Sequence, residues 1–273
     1  MTQFPTTVFL LASLLAQSEA PPRHARPSIV VEHRTLARGT TSWLALHFEI
    51  DPGWHLYWNG RNDSGLPPEV TPVLPKGFRL GAPLWPVPER LLSPGPILDH
   101  VYAERFTLLY PLELPKSAPP EATLGFKVDW LACQEMCVRE SDSLVVRVSI
   151  GDQAEEQTDA TLFREARAAL PEKVTEAPYT LRWSADRDTV RLHLELPDPG
   201  AASGTPKVAG LVFFPDTECS EIADPGRTTL VQGRALDLAL PKKKERPRLS
   251  GILEVRLADG TRHALLVTET KKK

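Results

Sequence analysis

Residues 43–50 read Trp43-Leu44-Ala45-Leu46-His47-Phe48-Glu49-Ile50. Leu44, Leu46, Phe48 and Ile50 fall on one side of an extended chain, and Trp43, Ala45, His47 and Glu49 on the other. That strict alternation predicts a half-buried β-strand. Moving outward, Ser28–Glu32, Thr107–Leu114, Thr123–Asp129 and Leu144–Ile150 read the same way. Turn-rich segments separate them: Asp51-Pro52-Gly53, Asn59–Pro68 and Pro83–Pro96. Strands at this spacing, without a helical period, predict a sandwich of roughly 120 residues. Proline reinforces the reading. The chain has 27 prolines in 273 residues, about twice the usual share, which leaves little room for long helices.

The pattern breaks once. Asp159–Leu170 places Leu162, Ala166, Ala169 and Leu170 at helical spacing, with Thr158 or Asp159 as N-cap and Pro171 as stop. Strands then resume at Tyr179–Ser184, Thr189–Leu196, Val208–Phe214, Ala235–Leu240, Gly251–Leu257 and His263–Thr268. They predict a second sandwich of roughly 90 residues. The expected fold is therefore all-β: two sandwiches joined by one helix. The expected boundaries are 27–150 for the first domain, 151–174 for the helical connector and 175–270 for the second domain.

Composition excludes several classes. Apolar residues make up 41% and charged residues 25%, as in ordinary globular proteins and unlike disordered chains, collagens or coiled coils. No run of eighteen apolar residues exists, so a polytopic membrane protein is excluded. With 32 basic and 35 acidic residues, no nucleic-acid partner is expected. The runs Lys242–Lys244 and Lys271–Lys273 read as a solvated turn and tail. At the start, the apolar stretch Val8–Ala16 followed by Ser18-Glu19-Ala20 reads as a signal peptide over 1–20, although its n-region lacks Lys and Arg. This predicts export to the periplasm or cell envelope, tethered there if the segment is not cleaved. No lipobox cysteine is present.

An exported chain meets oxidising conditions, which makes its three cysteines informative. Cys133 and Cys137 stand as C-x-x-x-C in Trp130-Leu131-Ala132-Cys133-Gln134-Glu135-Met136-Cys137-Val138. A straight strand would hold them about 13 Å apart, too far for a disulfide, so a bond between them requires a turn. Such a bond closes a very short loop and constrains the unfolded chain little, which favours reactivity over stapling. Glu135 would raise the thiol pKa values and Arg139 would lower them. Three readings of the pair compete: a redox-active dithiol, a structural bridge, and a soft-metal site using Met136 or a histidine. His55 and His100 are the histidines that could approach in space. Cys219 reads as a free or semi-buried thiol.

Other enzyme classes find no motif: G-x-S-x-G, the P-loop and H-E-x-x-H are all absent. Ser64 in Asp63-Ser64-Gly65 reads as a turn residue. The segment Trp54–Trp58 reads as core packing, or as rings capping a reactive site.

Three stretches together resemble a known family: PGWHLYWNGRNDSGLPP (52–68), LWPVPER (84–90) and WLACQEMCV (130–138). They are similar to the periplasmic amino-terminal region of the DsbD/ScsB thiol:disulfide interchange proteins. Phe213-Phe214-Pro215-Asp216 and Leu249–Leu253 are similar to the second β region of ScsB-like members. The resemblance implies immunoglobulin-like domains and an electron relay, with Cys133 and Cys137 matching the two redox cysteines. Its chemistry would be thiol:disulfide interchange of the protein-disulfide reductase type, with no cofactor and no small-molecule substrate. The implied partners are a DsbD/ScsB-like membrane electron donor and periplasmic thioredoxin-like proteins, in settings such as cytochrome c biogenesis and copper tolerance. The family's aromatic cap loop would fall at Asn59–Leu66 or at Asp99–Arg105 with Tyr102. Full-length members continue into membrane helices and a thioredoxin-like domain, whereas this sequence stops at Lys273, so the expectation is either that the membrane part is a separate protein or that this is a stand-alone adaptor with another reductant. The alternatives are a binding or assembly module with a structural disulfide, docking through the Trp54–Trp58 surface, and a copper-handling protein.

Overall fold

The computed structural model describes residues 23–95, 97–173, 180–185, 189–195, 207–223, 225–228, 230–233, 235–239 and 248–267. The expected signal peptide and both lysine runs lie outside the described residues. In chain order the first strands are β1 (Ala25–Val31), β2 (His33–Ala37), β3 (Thr41–Ile50), β4 (His55–Tyr57), β5 (Glu69–Val73) and β6 (Arg79–Leu80). Then come β7 (Glu89–Ser93), β8 (Ile97–Ala103), β9 (Arg105–Glu113), β10 (Glu121–Cys133), β11 (Cys137–Gly151) and β12 (Glu155–Gln157). The helix α1 (Ala160–Ala168) leads to β13 (Glu172–Lys173), β14 (Thr180–Ala185), β15 (Thr189–Glu195) and β16 (Val208–Pro215). The chain closes with α2 (Pro225–Thr228), β17 (Leu230–Gln232), β18 (Ala235–Ala239), β19 (Gly251–Leu257) and β20 (Arg262–Val267).

The first sandwich pairs a sheet of order β1-β3-β9-β6 with one of order β12-β2-β11-β10-β4-β8-β7, to which β5 adds along β10. The alternation of residues 43–50 acts as expected. Leu44, Leu46, Phe48 and Ile50 are buried and meet Leu124, Phe126, Val128, Trp130 and Ala132 of β10 in one core. Phe48 stacks on Phe106 at 4.9 Å and meets Trp130 edge-on at 5.7 Å, geometries aromatic pairs favour. Glu140 of β11 is buried, and its carboxylate accepts hydrogen bonds from Trp130 Nε1 (2.9 Å) and the backbone N–H groups of His24 and Ala25. It clips the start of β1 to the opposite sheet.

The second sandwich sets β13-β20-β19-β16-β17 against β14-β15-β18, with Leu192, Leu211, Phe213, Leu236, Leu253 and Leu265 in its core. The helix forms where it was expected, with Asp159 as N-cap accepting from Leu162 N–H. It is more than a connector. Phe163 and Ala166 bury against Ala45 and Leu109 on the outer face of the first sandwich. Arg167 pairs with Glu32 at 2.7 Å and lies over Trp43 and Phe163. Burial of Phe163 alone contributes roughly 1.5–3 kcal/mol. Among the described residues no helix is long and apolar enough to cross a membrane.

Two segments depart from the sequence reading. Pro83–Pro96 contains strand β7, and Asp99–Ala103 lies in strand β8 rather than in a turn. Both are short strands flanked by proline or glycine, so their local pattern reads as turn. Their pairing with each other and with β4 supplies the hydrogen bonds that decide otherwise.

Candidate functional site: the hairpin disulfide

The two longest strands, β10 and β11, are antiparallel, and their register ends on the pair Cys133↔Cys137. The intervening Gln134-Glu135-Met136 forms the turn, closed by Gln134 N–H donating to Met136 O at 3.2 Å. The turn holds the two Cα atoms 4.1 Å apart, and a disulfide joins the side chains. The turn that bonding requires is therefore a hairpin tip.

The two sulfur-bearing residues differ in environment. Cys133 is 2% exposed and packs with Tyr57 and Val101, while Cys137 is exposed beside Met136 at 78%. Strand parity explains this neighbourhood. Cys133 is the register partner of His55, and Tyr57 is that of Val101. Odd-numbered residues of β4, β8 and β10 face outward and build the site, while even-numbered Leu56, Tyr102 and Trp130 enter the core. Trp130, three residues from Cys133 in sequence, thus points away from it. Tyr102 also belongs to the core, stacked on Phe106 with its hydroxyl donating to Pro86 O. It does not cap the pair.

The Asn59–Leu66 loop is the one that reaches the site. Tyr57 Oη lies 3.6 Å from Cys137 Sγ, 3.3 Å from Ser64 Oγ and 3.3 Å from His55 Nε2. Ser64 Oγ donates to Asp99 Oδ2, and the N–H groups of Asp63 and Ser64 donate to Asp99 Oδ1 at 2.9 and 3.0 Å. Asp99 is buried, and these donors offset the cost of burying its carboxylate. Gly65 allows the close approach of this loop: a Cβ there would lie 2.1 Å from the Tyr57 ring.

Proton bookkeeping gives the network a direction. A carboxylate only accepts, so the Ser64 proton points to Asp99. Ser64 Oγ can then only accept from Tyr57. The single phenolic proton of Tyr57 is contested between Ser64 Oγ and Cys137 Sγ, while His55 Nε2–H can donate to the phenol oxygen. Burial holds Tyr57 above its ordinary pKa, with the Ser64 hydrogen bond acting against the shift. Burial also lowers the pKa of His55. At neutral pH the site therefore offers a neutral phenol that can turn to a thiolate at Cys137, without an imidazolium beside it.

The other candidates lie elsewhere. His100 turns toward Trp58 and Phe214. Trp58 is buried in the core, and Trp54 stacks on His24 at 3.5 Å. Glu135 and Arg139 are exposed, the latter 3.9 Å from Asp129. Cys219 is a free, buried thiol. Among the described residues no group of three or more His, Cys, Asp or Glu side chains gathers to hold a metal. Both cysteines stand out in the sequence, whereas the roles of Tyr57, Ser64 and Asp99 do not. The period-2 pairing of His55 with Tyr57 was a visible signal, whereas Asp99 joins them only through strand register.

Fold and site together define a class: β-sandwich domains of the immunoglobulin-like type with a disulfide displayed at a hairpin tip. Residues 26–149 match the family described as thiol:disulfide interchange protein DsbD, N-terminal, and this part of the chain is a DsbD/ScsB-type N-terminal domain. The whole fold is similar to the N-terminal periplasmic domain of ScsB from Proteus mirabilis, with 13% identity, 92% of this chain and 95% of that one covered, and a TM-score of 0.63. At that identity the likeness shows the fold. The major pilin subunit BcpA of Bacillus cereus (12% identity, 90% and 67% covered, TM-score 0.27) and the E. coli chaperone DraB (10%, 90% and 100%, 0.25) are far weaker likenesses and carry no argument. No curated protein matches the chain.

Proposed function

We propose that this chain is a periplasmic thiol–disulfide relay whose catalytic residues are Cys133 and Cys137. The observation that carries the reading is the asymmetry of the pair, one cysteine exposed at a hairpin tip and the other buried behind it. In the reduced state the Cys137 thiolate attacks a sulfur of the partner disulfide and displaces the partner's second sulfur as a thiolate. Cys133 then loses its proton and attacks Cys137 Sγ, closing the disulfide and releasing the partner's remaining thiolate. Two electrons pass to the partner, which takes up two protons. A membrane-embedded DsbD/ScsB-like protein would restore the dithiol, and thioredoxin-like periplasmic proteins would accept from it. The match to a DsbD N-terminal family and the likeness to a periplasmic ScsB domain support this assignment. We further propose that residues 27–150 and 175–270 are two domains, with the relay in the first.

The reading is tested by equilibrating the full mature chain with glutathione buffers, alkylating the thiols and reading the Cys133/Cys137 couple by mass spectrometry. The expected potential lies in the exchange range, roughly −120 to −270 mV, whereas structural bridges lie below about −300 mV. A value in the structural range would instead indicate an assembly module stapled by its disulfide.

A further inference from the structure

The loop that delivers Ser64 to the redox site is fastened at its other end to the C-terminal sheets. Arg61 N–H donates to Pro215 O at 3.0 Å, Arg61 Nε donates to Asp216 O at 3.3 Å, and the guanidinium also donates to Cys219 O. The Arg61 carbonyl oxygen accepts from His100 Nδ1 at 2.6 Å, and the His100 ring meets Phe214 edge-on at 5.4 Å. Val212, Phe214 and Ile252 of the C-terminal sheets join the core of the first sandwich at this point. Three residues after Arg61, Ser64 takes its place between Asp99 and Tyr57. Between these two anchors Asn62 Oδ1 accepts from His100 N–H at 2.8 Å and Asp63 Oδ2 accepts from Leu98 N–H at 2.7 Å, so Arg61 and Ser64 are the two ends of one segment strapped along β8. A planar guanidinium with five N–H donors suits a fork of backbone carbonyls, and neither an ammonium nor an amide can reproduce it.

We propose that Arg61 is a positioning residue through which the C-terminal sandwich sets the reactivity of Cys137. Arg61 holds Ser64 in place as the rival acceptor for the Tyr57 proton. While Ser64 is held, the phenol is shared and the Cys137 thiolate gains only part of its hydrogen bond. When the tether is loosened, the phenol donates to Cys137 Sγ alone and the thiolate is favoured. Tyr57 and His55 on β4, Ser64 on the loop and Asp99 on β8 form the network that ends at Cys137, and Glu135 and Arg139 flank it in sequence on its own hairpin. Only Tyr57 comes within hydrogen-bonding reach of its sulfur among the described residues. The inference rests on Cys137 being the attacking sulfur.

The experiment measures the pH midpoint of Cys137 alkylation in the reduced full chain, assigned by tandem mass spectrometry. Arg61→Gln and Ser64→Ala should each lower the midpoint by roughly half to one pH unit, the equivalent of one ordinary hydrogen bond. The double variant should go no further than either alone, because both act on the same proton. Arg61→Lys, which keeps the charge and a donor, should recover part of the wild-type midpoint, and it carries the test if Arg61→Gln does not fold. Tyr57→Phe should raise the midpoint and make it indifferent to Arg61. A wild-type midpoint in the Arg61 variants, even with a lowered Tm, overturns the proposal, as does full additivity with Ser64→Ala. Failure of the wild-type dithiol to reduce any protein disulfide would instead sink the relay reading, which the alkylation midpoint does not measure.

Discussion

Two turns in this molecule carry cysteine sulfur, and they are built to opposite ends. The 133–137 turn projects from the longest strand pair and leaves Cys137 open to solvent, with a phenol within reach. The 216–219 turn folds inward. Asp216 Oδ1 accepts from the N–H groups of Glu218 and Cys219, Ser250 Oγ donates to Asp216 Oδ2, and Cys219 ends 3% exposed. Burial pushes the Cys219 thiol above its ordinary pKa, against the pull of the Ser250 backbone hydrogen bond and the Arg61 charge. Compartment and residue type are the same in both places. Reactivity is decided by whether the chain shows the sulfur to solvent and whether a donor stands ready for the thiolate.

The sharpest way to break this contrast is to remove each sulfur in turn. Cys137→Ser should abolish disulfide exchange with a thioredoxin-like partner. Cys219→Ser should leave the exchange rate within about twofold of wild type, since a buried thiol with a raised pKa supplies little thiolate. Stopped-flow tryptophan fluorescence can follow both. Cys133→Ser should accumulate the mixed disulfide at Cys137, visible on a non-reducing gel, because the attacking sulfur remains and the resolving one is gone. Exchange that survives in Cys137→Ser would reverse the assigned order of attack.

The second effect concerns the joint between the two regions, where His100 sits buried between Trp58 and Phe214. Burial depresses its pKa to about 4, with the Arg61 carbonyl acting in the opposite sense. The unfolded chain would protonate this ring near 6.5, so between roughly pH 6.5 and 4 the unfolded state binds more protons than the folded one. Stability from the neutral ring is therefore complete above pH 6.5 and is lost as pH falls toward 4, by roughly 3 kcal/mol at most. Urea melts at pH 7 and pH 4.5 should show His100→Gln to be less pH-sensitive than wild type. An identical pH dependence in both would mean that the joint does not open on unfolding.

Much of this architecture was legible in the sequence. Residues 43–50 announced the core face of β3, and Asp159 and Pro171 bracketed the helix. The spacing of Cys133 and Cys137 required a turn. The site's remaining parts were hidden for a physical reason. Tyr57, Ser64 and Asp99 come from β4, its following loop and β8, and only strand register brings them together. Asp63-Ser64-Gly65 reads locally as turn chemistry, but such a motif does not say what it will lean on, here the Asp99 carboxylate. Tyr102 failed as a cap candidate through parity, since a one-residue shift along a strand exchanges core for surface.

A third and smaller effect tests how closely the exposed hairpin depends on its covering loop. Gly65→Ala would place a methyl group against the Tyr57 ring, and the ring or the loop must move. Overpacking of this kind costs roughly 1–3 kcal/mol. It should displace the phenol from Cys137 Sγ and raise the pH midpoint of Cys137 alkylation. Thermal melts separate the stability cost from the change at the thiol, and an unmoved midpoint would show that the phenol does not tune Cys137.

The smallest effect probes the inert turn itself. Asp216→Ala removes the acceptor for two backbone N–H groups and for Ser250 Oγ. Losing about 1–2 kcal/mol of local hydrogen bonding should raise the population of the locally open state, and Cys219 labelling by a maleimide should quicken by roughly tenfold. Cys137 alkylation would stay near its wild-type midpoint if the turn opened only locally. It would drop with Arg61→Gln if opening released Arg61 as well, since Arg61 donates to the Asp216 and Cys219 carbonyls. The same substitution therefore asks whether the two sulfur-bearing turns are independent or are the two ends of one hydrogen-bonded path. Unchanged Cys219 labelling would mean that apolar packing by Leu249 and Leu253 in the core they share with Cys219, rather than the Asp216 turn, keeps this thiol silent.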